Sequence, residues 1–442
     1  MADLPQHAGQ IALWHDLLTG TSKWQSAFYI NLYTPYWLGN GLALLLSFAM
    51  PVSAAMKLLL MVSCWAFVAG SVLLRRRMAA DQHLDWLFIC SFFGLAYEYG
   101  LFPFLIAAPI GVAFIVLAHR HAERPSPASG ALLCLTGLAL YFSHGLTLAF
   151  AGVTGAAFLV LKGRSFMAVM LSGVPYVVLA GICLTYALLG LAFAPGTSAV
   201  PGAPQWPGLF SGLKHLLFFP IGAPRLDWLL APLVPLLLLV PLLAGCGVNR
   251  RNYAAFVPIG VLLAWVVAIP ESVGETWFIA YRFTIFLLPF FALPFLAPRR
   301  AWARWIAPAL SWAFLVIHGE RLAAFAKESD SFEQVLAAAA PGFRAQSVVL
   351  DPVSRAAQNP MAYVSFPLWY QADKGGLVDF NFAYFPTQVV RFREVQQPKE
   401  EHRYYFVRRT DPSPEKPMAA DASAFRLLKS SGDWSLFEKV GR

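Results

Sequence analysis

Ala54-Ala-Met-Lys-Leu-Leu-Leu-Met-Val-Ser-Cys-Trp-Ala-Phe-Val-Ala-Gly-Ser-Val-Leu-Leu74, closed by Arg75-Arg-Arg77, decides what kind of chain this is. Twenty-one residues with one charge, Lys57, match the length of about 20 apolar residues that crosses a bilayer core. Similar runs recur outward from it, at about 34–50, 84–99, 101–118, 128–143, 145–162, 166–192, 226–246, 253–269, 283–297 and 303–317. Prolines interrupt several of them, among them Pro103, Pro109, Pro175, Pro235, Pro241 and Pro289. In lipid such breaks persist only where neighbouring helices or cavity water satisfy the freed backbone groups, so the pattern predicts a cavity.

Composition agrees with that reading. Of 442 residues 58% are hydrophobic and 13% charged, about half the charge of an ordinary soluble domain. The charge is unevenly spread. Residues 1–317 hold 17 Lys and Arg and 9 Asp and Glu, whereas residues 318–442 hold 16 and 15 in less than half the length. The sequence therefore divides into an N-terminal segment, 1–33, a polytopic domain, 34–317, and a water-soluble domain, 318–442. A cytosolic enzyme, a disordered scaffold and a disulfide-built secreted module are excluded. The five cysteines all lie in apolar runs and make no CxxC pair.

The basic residues cluster at Arg75–Arg77, Arg120 and Arg124, Lys162 and Arg164, Arg250 and Arg251, and Arg299, Arg300 and Arg304. By the positive-inside rule these ends face the cytoplasm. The segments 97–100, 143–145, 193–225 and 270–282 and the whole tail then face outward. The same bookkeeping leaves residues 1–33 inside unless one early segment fails to cross, or unless Arg75–Arg77 lies outside and 84–118 crosses once. Net charge of +9, nearly all in the apolar part, reports this orientation and no nucleic-acid surface. In the tail, 319–340 reads as a helix stopped by Pro341-Gly342, and 347–351, 362–366, 404–407 and 434–437 read as short strands.

Ionisable groups near membrane depth are costly and mark a functional site or a structural pairing. Asp3 and His7 stand one turn apart ahead of Gln10 to Leu18, whose apolar positions share a helical face. That pattern predicts an interfacial helix with Trp14 at headgroup level, and a carboxylate–imidazole pair or merely a solvated terminus. Glu98 sits between apolar runs as a cavity acid or a turn residue. His144 interrupts two more, as a ligand-facing or a structural histidine. Glu275 and Arg282, seven apart, share a face if the segment is helical. Arg282 abuts the apolar run from Phe283, so its guanidinium needs either Glu275 or Glu271 or a lipid phosphate as counter-ion. Lys214, His215 and Arg225 flank an amphipathic stretch and read as snorkelling anchors or as part of an anionic-headgroup site. The double glycine in Tyr370-Gln-Ala-Asp-Lys-Gly-Gly-Leu-Val-Asp-Phe380 reads as a turn. No P-loop, GxGxxG, HExxH or GxSxG motif is present.

With Asp3-Leu-Pro-Gln-His7 and Asn31-Leu-Tyr-Thr-Pro-Tyr-Trp-Leu-Gly39, the chain resembles bacterial multi-spanning proteins of the C-type glycosyltransferase (GT-C) fold. The resemblance covers the layout of the whole chain and rests on short motifs. It implies a mainly α polytopic membrane protein of about ten or eleven transmembrane helices with a small α/β exoplasmic domain at its C-terminus. It further implies a bacterial plasma-membrane, periplasm-facing enzyme that moves a sugar from a polyprenyl-phosphate donor to a glycan or protein acceptor. Asp3 would be the catalytic base or hold a divalent metal, His7 would lie beside it, and Arg282 would hold the donor phosphate by its position; from the reading of the residues themselves, Glu98 joins the catalytic candidates and Glu275, His144, Lys214 and Arg225 the candidates for the phosphate site. The family places a transmembrane helix ahead of the loop acid, and here two residues precede Asp3, so the expectation is a first helix either missing through a shortened gene start or absent in fact. No DxD or DD pair accompanies Asp3. A transporter or flippase of an anionic or lipid-linked substrate, and a non-catalytic scaffold of envelope assembly, are the rival expectations.

Overall fold

The computed structural model describes residues 2–162, 165–193, 202–218, 230–274, 276–393, 400–410 and 424–440. The chain opens with α1 (Leu4–Thr19), β1 (Phe28–Ile30) and α2 (Trp37–Ser47). Then come α3 (Val52–Arg77), α4 (Trp86–Phe92), α5 (Leu95–Tyr99), α6 (Phe102–Glu123), α7 (Pro127–Ser143), α8 (Gly145–Leu161) and α9 (Phe166–Phe193). The next stretch holds β2 (Pro204–Gln205), α10 (Leu209–Phe218), α11 (Leu230–Leu243), β3 (Cys246–Val248), α12 (Val257–Ala268), β4 (Ser272–Val273), α13 (Leu287–Ala292) and β5 (Phe295–Pro298). A long helix, α14 (Ile306–Ala337), leads into β6 (Arg344–Val349), α15 (Leu368–Lys374), β7 (Leu377–Val378), β8 (Val390–Phe392), β9 (Tyr404–Arg408), β10 (Phe425–Ser431) and β11 (Trp434–Lys439).

The protein is mainly helical, with a C-terminal sheet. Three helices among the described residues, α3, α6 and α9 up to Gly190, are long and apolar enough to cross a membrane, and five further apolar helices are shorter. The expected membrane-type helical fold is thus supported in part, with three such helices where about ten or eleven were expected. Several apolar runs are broken pieces: 84–99 becomes a 3-10 turn, α4 and α5, and 283–297 becomes a 3-10 turn, α13 and β5. On α9, Val177, Leu184 and Leu188 stand exposed, as they would against acyl chains.

The basic clusters gather at one end of the bundle. Arg77 and Lys162 both reach Glu123, at 2.7 and 3.7 Å, and Arg75 clasps Asp85 with two bonds of 2.9 and 2.7 Å. Asn252 donates to the carbonyl of Met78, and β3 pairs with β5 close by. The start of α6 lies at the opposite end, about 33 Å away for 22 residues at 1.5 Å each.

That opposite end carries the C-terminal domain and also residues 2–31. The five-stranded mixed sheet has the order β10-β11-β9-β6-β7, with Phe332 of α14, Tyr370 of α15 and Phe366 of the turn before α15 packed with Phe406 and Trp434. Antiparallel pairing of β1 with β8 ties the N-terminal segment to this domain. So do hydrogen bonds from the backbone N–H of Phe382 and of Val390 to the side-chain oxygens of Gln6 and Gln10. The expected interfacial helix is therefore corrected: α1 is largely buried, between the domain and the bundle, because its polar residues find partners in the sheet domain. At 11 residues α2 is about 16 Å long, and residues 2–31 and the tail lie at the same end of the bundle.

Two local expectations change. Gly319 to Ala340 is not a separate helix but the end of α14, stopped before Gly342, whose φ of 76° only glycine adopts freely. Residues 362–366 form turns, not a strand, and lead into α15.

Candidate functional site

The first turn of α1 is built unusually. Pro5 fits an opening turn, where its missing N–H costs nothing. Asp3, at the cap position, has φ −92° and ψ −9°, so it is helical rather than extended and its carboxylate does not cap the helix. The backbone N–H of Asp3 instead donates to the carbonyl of Tyr99 at 2.8 Å. Gly100 makes that approach feasible: its φ is +72°, and a Cβ there would stand 2.8 Å from the nitrogen of Leu4. The Asp3 side chain is thus left free to face a cavity.

This cavity holds about 590 Å³ between the bundle and the C-terminal domain. Asp3, Gln6 and His7 line it from α1; Tyr36, Tyr99, Phe104, His144 and Arg282 from the bundle; and Ser365, Phe382, Phe385 and Gln388 from the sheet domain. Asp3 and Arg282 supply its formally charged groups among the described residues.

Arg282 is 8% exposed and enters the cavity from the 3-10 turn Tyr281–Phe286. Its Nε donates to the carbonyl of Phe278 at 3.1 Å, its Nη2 to that of Trp277 at 2.9 Å, and its Nη1 meets His144 Nε2 at 3.3 Å. Phe278 has φ +58°, a strained setting for a bulky residue that aims both carbonyls back at the guanidinium. No carboxylate among the described residues lies within ion-pair distance of Arg282. Two of the five guanidinium N–H groups remain for a ligand.

His144 sits at the break between α7 and α8. A guanidinium only donates, so His144 Nε2 accepts and its Nδ1 carries the proton, donating to Thr147 Oγ1 at 3.0 Å. Burial pushes the Asp3 carboxyl up to about 6, against the Arg282 guanidinium, which draws it down. His7 is pushed down to about 3 by burial, so its imidazole is neutral at physiological pH, and its Nδ1 has no partner. Gln388 Oε1 is likewise buried without a partner.

Other candidates stand elsewhere. Glu98 is corrected as a cavity acid: it turns away into a separate crevice of about 30 Å³, where Arg321 lies 3.8 Å from it and His318 lines the wall. Asn359 of the C-terminal domain donates to the Glu98 carbonyl, so this group belongs to the domain junction. Burial pushes its carboxyl up to about 7, with Arg321 opposing. Lys214 is exposed on α10 and lines no part of the cavity, which corrects its assignment to the anion site. Glu275 and Arg225 lie outside the described residues. The stretch before Tyr281 is strand and turn rather than helix, which removes the basis for a shared helical face. Gln388 and Phe385 escaped the sequence reading because an amide and a phenyl ring in a polar loop carry no distinguishing signal.

Among the described residues the site offers no all-protein metal cage. Asp3 and His7 are two ligands, and among the described residues no three His, Cys, Asp or Glu side chains come together. Compared with known proteins, the chain matches no family model, no curated protein and no solved structure.

Proposed function

We propose that the protein is a membrane-embedded glycosyltransferase of GT-C-like architecture, with its C-terminal domain exoplasmic and its basic end cytoplasmic. It takes a sugar from a polyprenyl-phosphate donor and passes it to a hydroxyl on an exoplasmic acceptor. One observation carries the reading: the Asp3 carboxylate and the Arg282 guanidinium face one cavity at the junction of apolar helices and soluble domain, and no described carboxylate lies within ion-pair distance of the arginine. The gathering of Arg75–Arg77, Glu123 and Lys162 at the far end supports the orientation.

In the proposed step Asp3 takes the proton from the acceptor hydroxyl as that oxygen bonds to the anomeric carbon. The bond from the anomeric carbon to the phosphate oxygen breaks, and the electron pair leaves with the phosphate. Arg282 stabilises the charge that develops there, in a buried setting where such a contact counts for more than in water. Inversion at the anomeric carbon follows from a single displacement. No metal enters the step.

The test uses purified protein in lipid nanodiscs with radiolabelled polyprenyl-phosphate sugars and membrane-derived acceptors. Wild type should form a glycosylated product, and Asp3→Asn and Arg282→Ala should lower its rate by about 10²-fold or more. Equal turnover in all three would strip Asp3 of its role as base and Arg282 of its role at the phosphate. Passage of the labelled lipid across the bilayer without a covalent product would mark a carrier instead.

A further inference from the structure

The wall of the cavity that faces the helices belongs to the C-terminal domain, and it differs from the Arg282 side. It presents Phe382, Phe385 and Gln388, with His7 of α1 beside them. Phe382 stands edge-on to His7 with ring centres 5.2 Å apart, and to Phe385 at 5.6 Å. Gln388 is 6% exposed and His7 4%, yet Gln388 Oε1 and His7 Nδ1 have no hydrogen-bond partner among the described residues. Both are buried polar atoms of residues that line a ligand-sized space, and an unmet hydrogen bond there is costly.

Their placement is fixed by the fold. The Gln388 carbonyl accepts from Asn31 Nδ2 at 3.0 Å, and its N–H donates to the Phe385 carbonyl at 3.1 Å. The β1–β8 pairing begins two residues later, at Ile30 and Val390. The amide is thus held by rigid backbone on either side, while its Oε1 is buried with no partner among the described residues.

Resting on the glycosyltransferase reading, we propose that His7, Phe382, Phe385 and Gln388 form the acceptor subsite, and that the acceptor is an uncharged sugar ring rather than a protein side chain. A hydroxyl both donates and accepts, so it satisfies the amide in either orientation and the neutral imidazole in either tautomer. The apolar C–H face of a pyranose suits phenyl rings. None of these four side chains is charged at neutral pH, so a uronic acid, an amino sugar or a charged peptide finds no counter-ion on this wall. The subsite places a ring hydroxyl beside Asp3, across the cavity from Arg282.

The experiment is saturation-transfer NMR on the full chain in nanodiscs, with methyl β-D-glucopyranoside, methyl β-D-galactopyranoside, methyl α-D-mannopyranoside and, for comparison, N-acetylserine amide. At least one glycoside should take up saturation at its ring protons, and the peptide should not. Gln388→Met and Phe385→Ala should each weaken that glycoside at least tenfold, while Lys214→Ala leaves it unchanged. Should Phe385→Ala fail to fold, the near-isosteric Gln388→Met decides alone. Binding of none of the glycosides, preference for the peptide, or binding indifferent to Gln388→Met overturns the proposal. A parallel titration with undecaprenyl phosphate separates the two ideas. If the lipid binds through Arg282 and transfer occurs but no glycoside binds, the subsite is lost and the transferase stands. If a glycoside binds through Gln388 but no transfer is found, the reverse holds.

Discussion

The guanidinium of Arg282 and the imidazole of His144 meet at 3.3 Å although 138 positions separate them, and the contact decides where the histidine proton sits. Arginine cannot accept, so His144 offers its Nε2 lone pair and spends its one proton on Thr147. The histidine therefore acts as a neutral bracket that orients a cation without cancelling its charge. A carboxylate in that position would hold Arg282 more tightly and would also compete with an incoming anion.

Replacing the bracket tests that role. His144→Ala removes a hydrogen bond to a charged group, worth about 1.5–3 kcal/mol, and should lower kcat/KM in the transfer assay by roughly 10- to 100-fold. His144→Gln keeps an acceptor on a side chain of similar reach and should recover part of the loss. A His144→Glu variant should bind undecaprenyl phosphate more weakly than either.

Gly100 governs where Asp3 stands. Gly100→Ala puts a Cβ 2.8 Å from the Leu4 nitrogen and forces an L-residue to φ +72°. The variant should lose about 1–3 kcal/mol of stability and shift the first turn of α1. The expected readout is a lowered thermal midpoint together with a fall in kcat that exceeds any change in KM. A variant as active as wild type would mean that α1 needs no such close seat.

Asp3 sets a pH dependence. A base must be ionised to accept a proton, and this carboxyl titrates at about 6. kcat/KM should therefore rise tenfold per pH unit below about 6 and level off above it. Asp3→Asn should remove that limb along with most of the activity.

Glu98 sets a different one, read in stability. Its folded value of about 7 lies above the ordinary 4.5, so the fold holds the proton more tightly than the unfolded chain does. The stabilisation is complete below about pH 4.5 and is lost as pH rises through about 7, by an amount of roughly a few kcal/mol at most. Thermal midpoints of the detergent-solubilised protein should fall from pH 5 to pH 8, and Glu98→Gln should flatten that slope. An unchanged slope in the variant would assign it to another group.

Much of this molecule is legible in its sequence for one physical reason: where charge is expensive, each charge is conspicuous. Composition alone separates the apolar part from the tail, the arginine runs mark one end of the bundle, and Asp3, His7, His144 and Arg282 attract notice because few ionisable residues surround them. Helix count was not legible, because hydropathy sums over a window and does not register the turns that split 84–99 and 283–297 into short pieces.

What composition and periodicity determined is which segments avoid water and which residues are chemically eligible. What only the tertiary structure decided is which of those residues meet. Asp3 and Arg282 line one cavity because β1 pairs with β8 and Gly100 admits the start of α1, contacts between positions far apart in the chain. Glu98, equally eligible by sequence, turns instead toward Arg321, since the direction of a side chain follows from the packing of its whole element and not from its own neighbours in the chain.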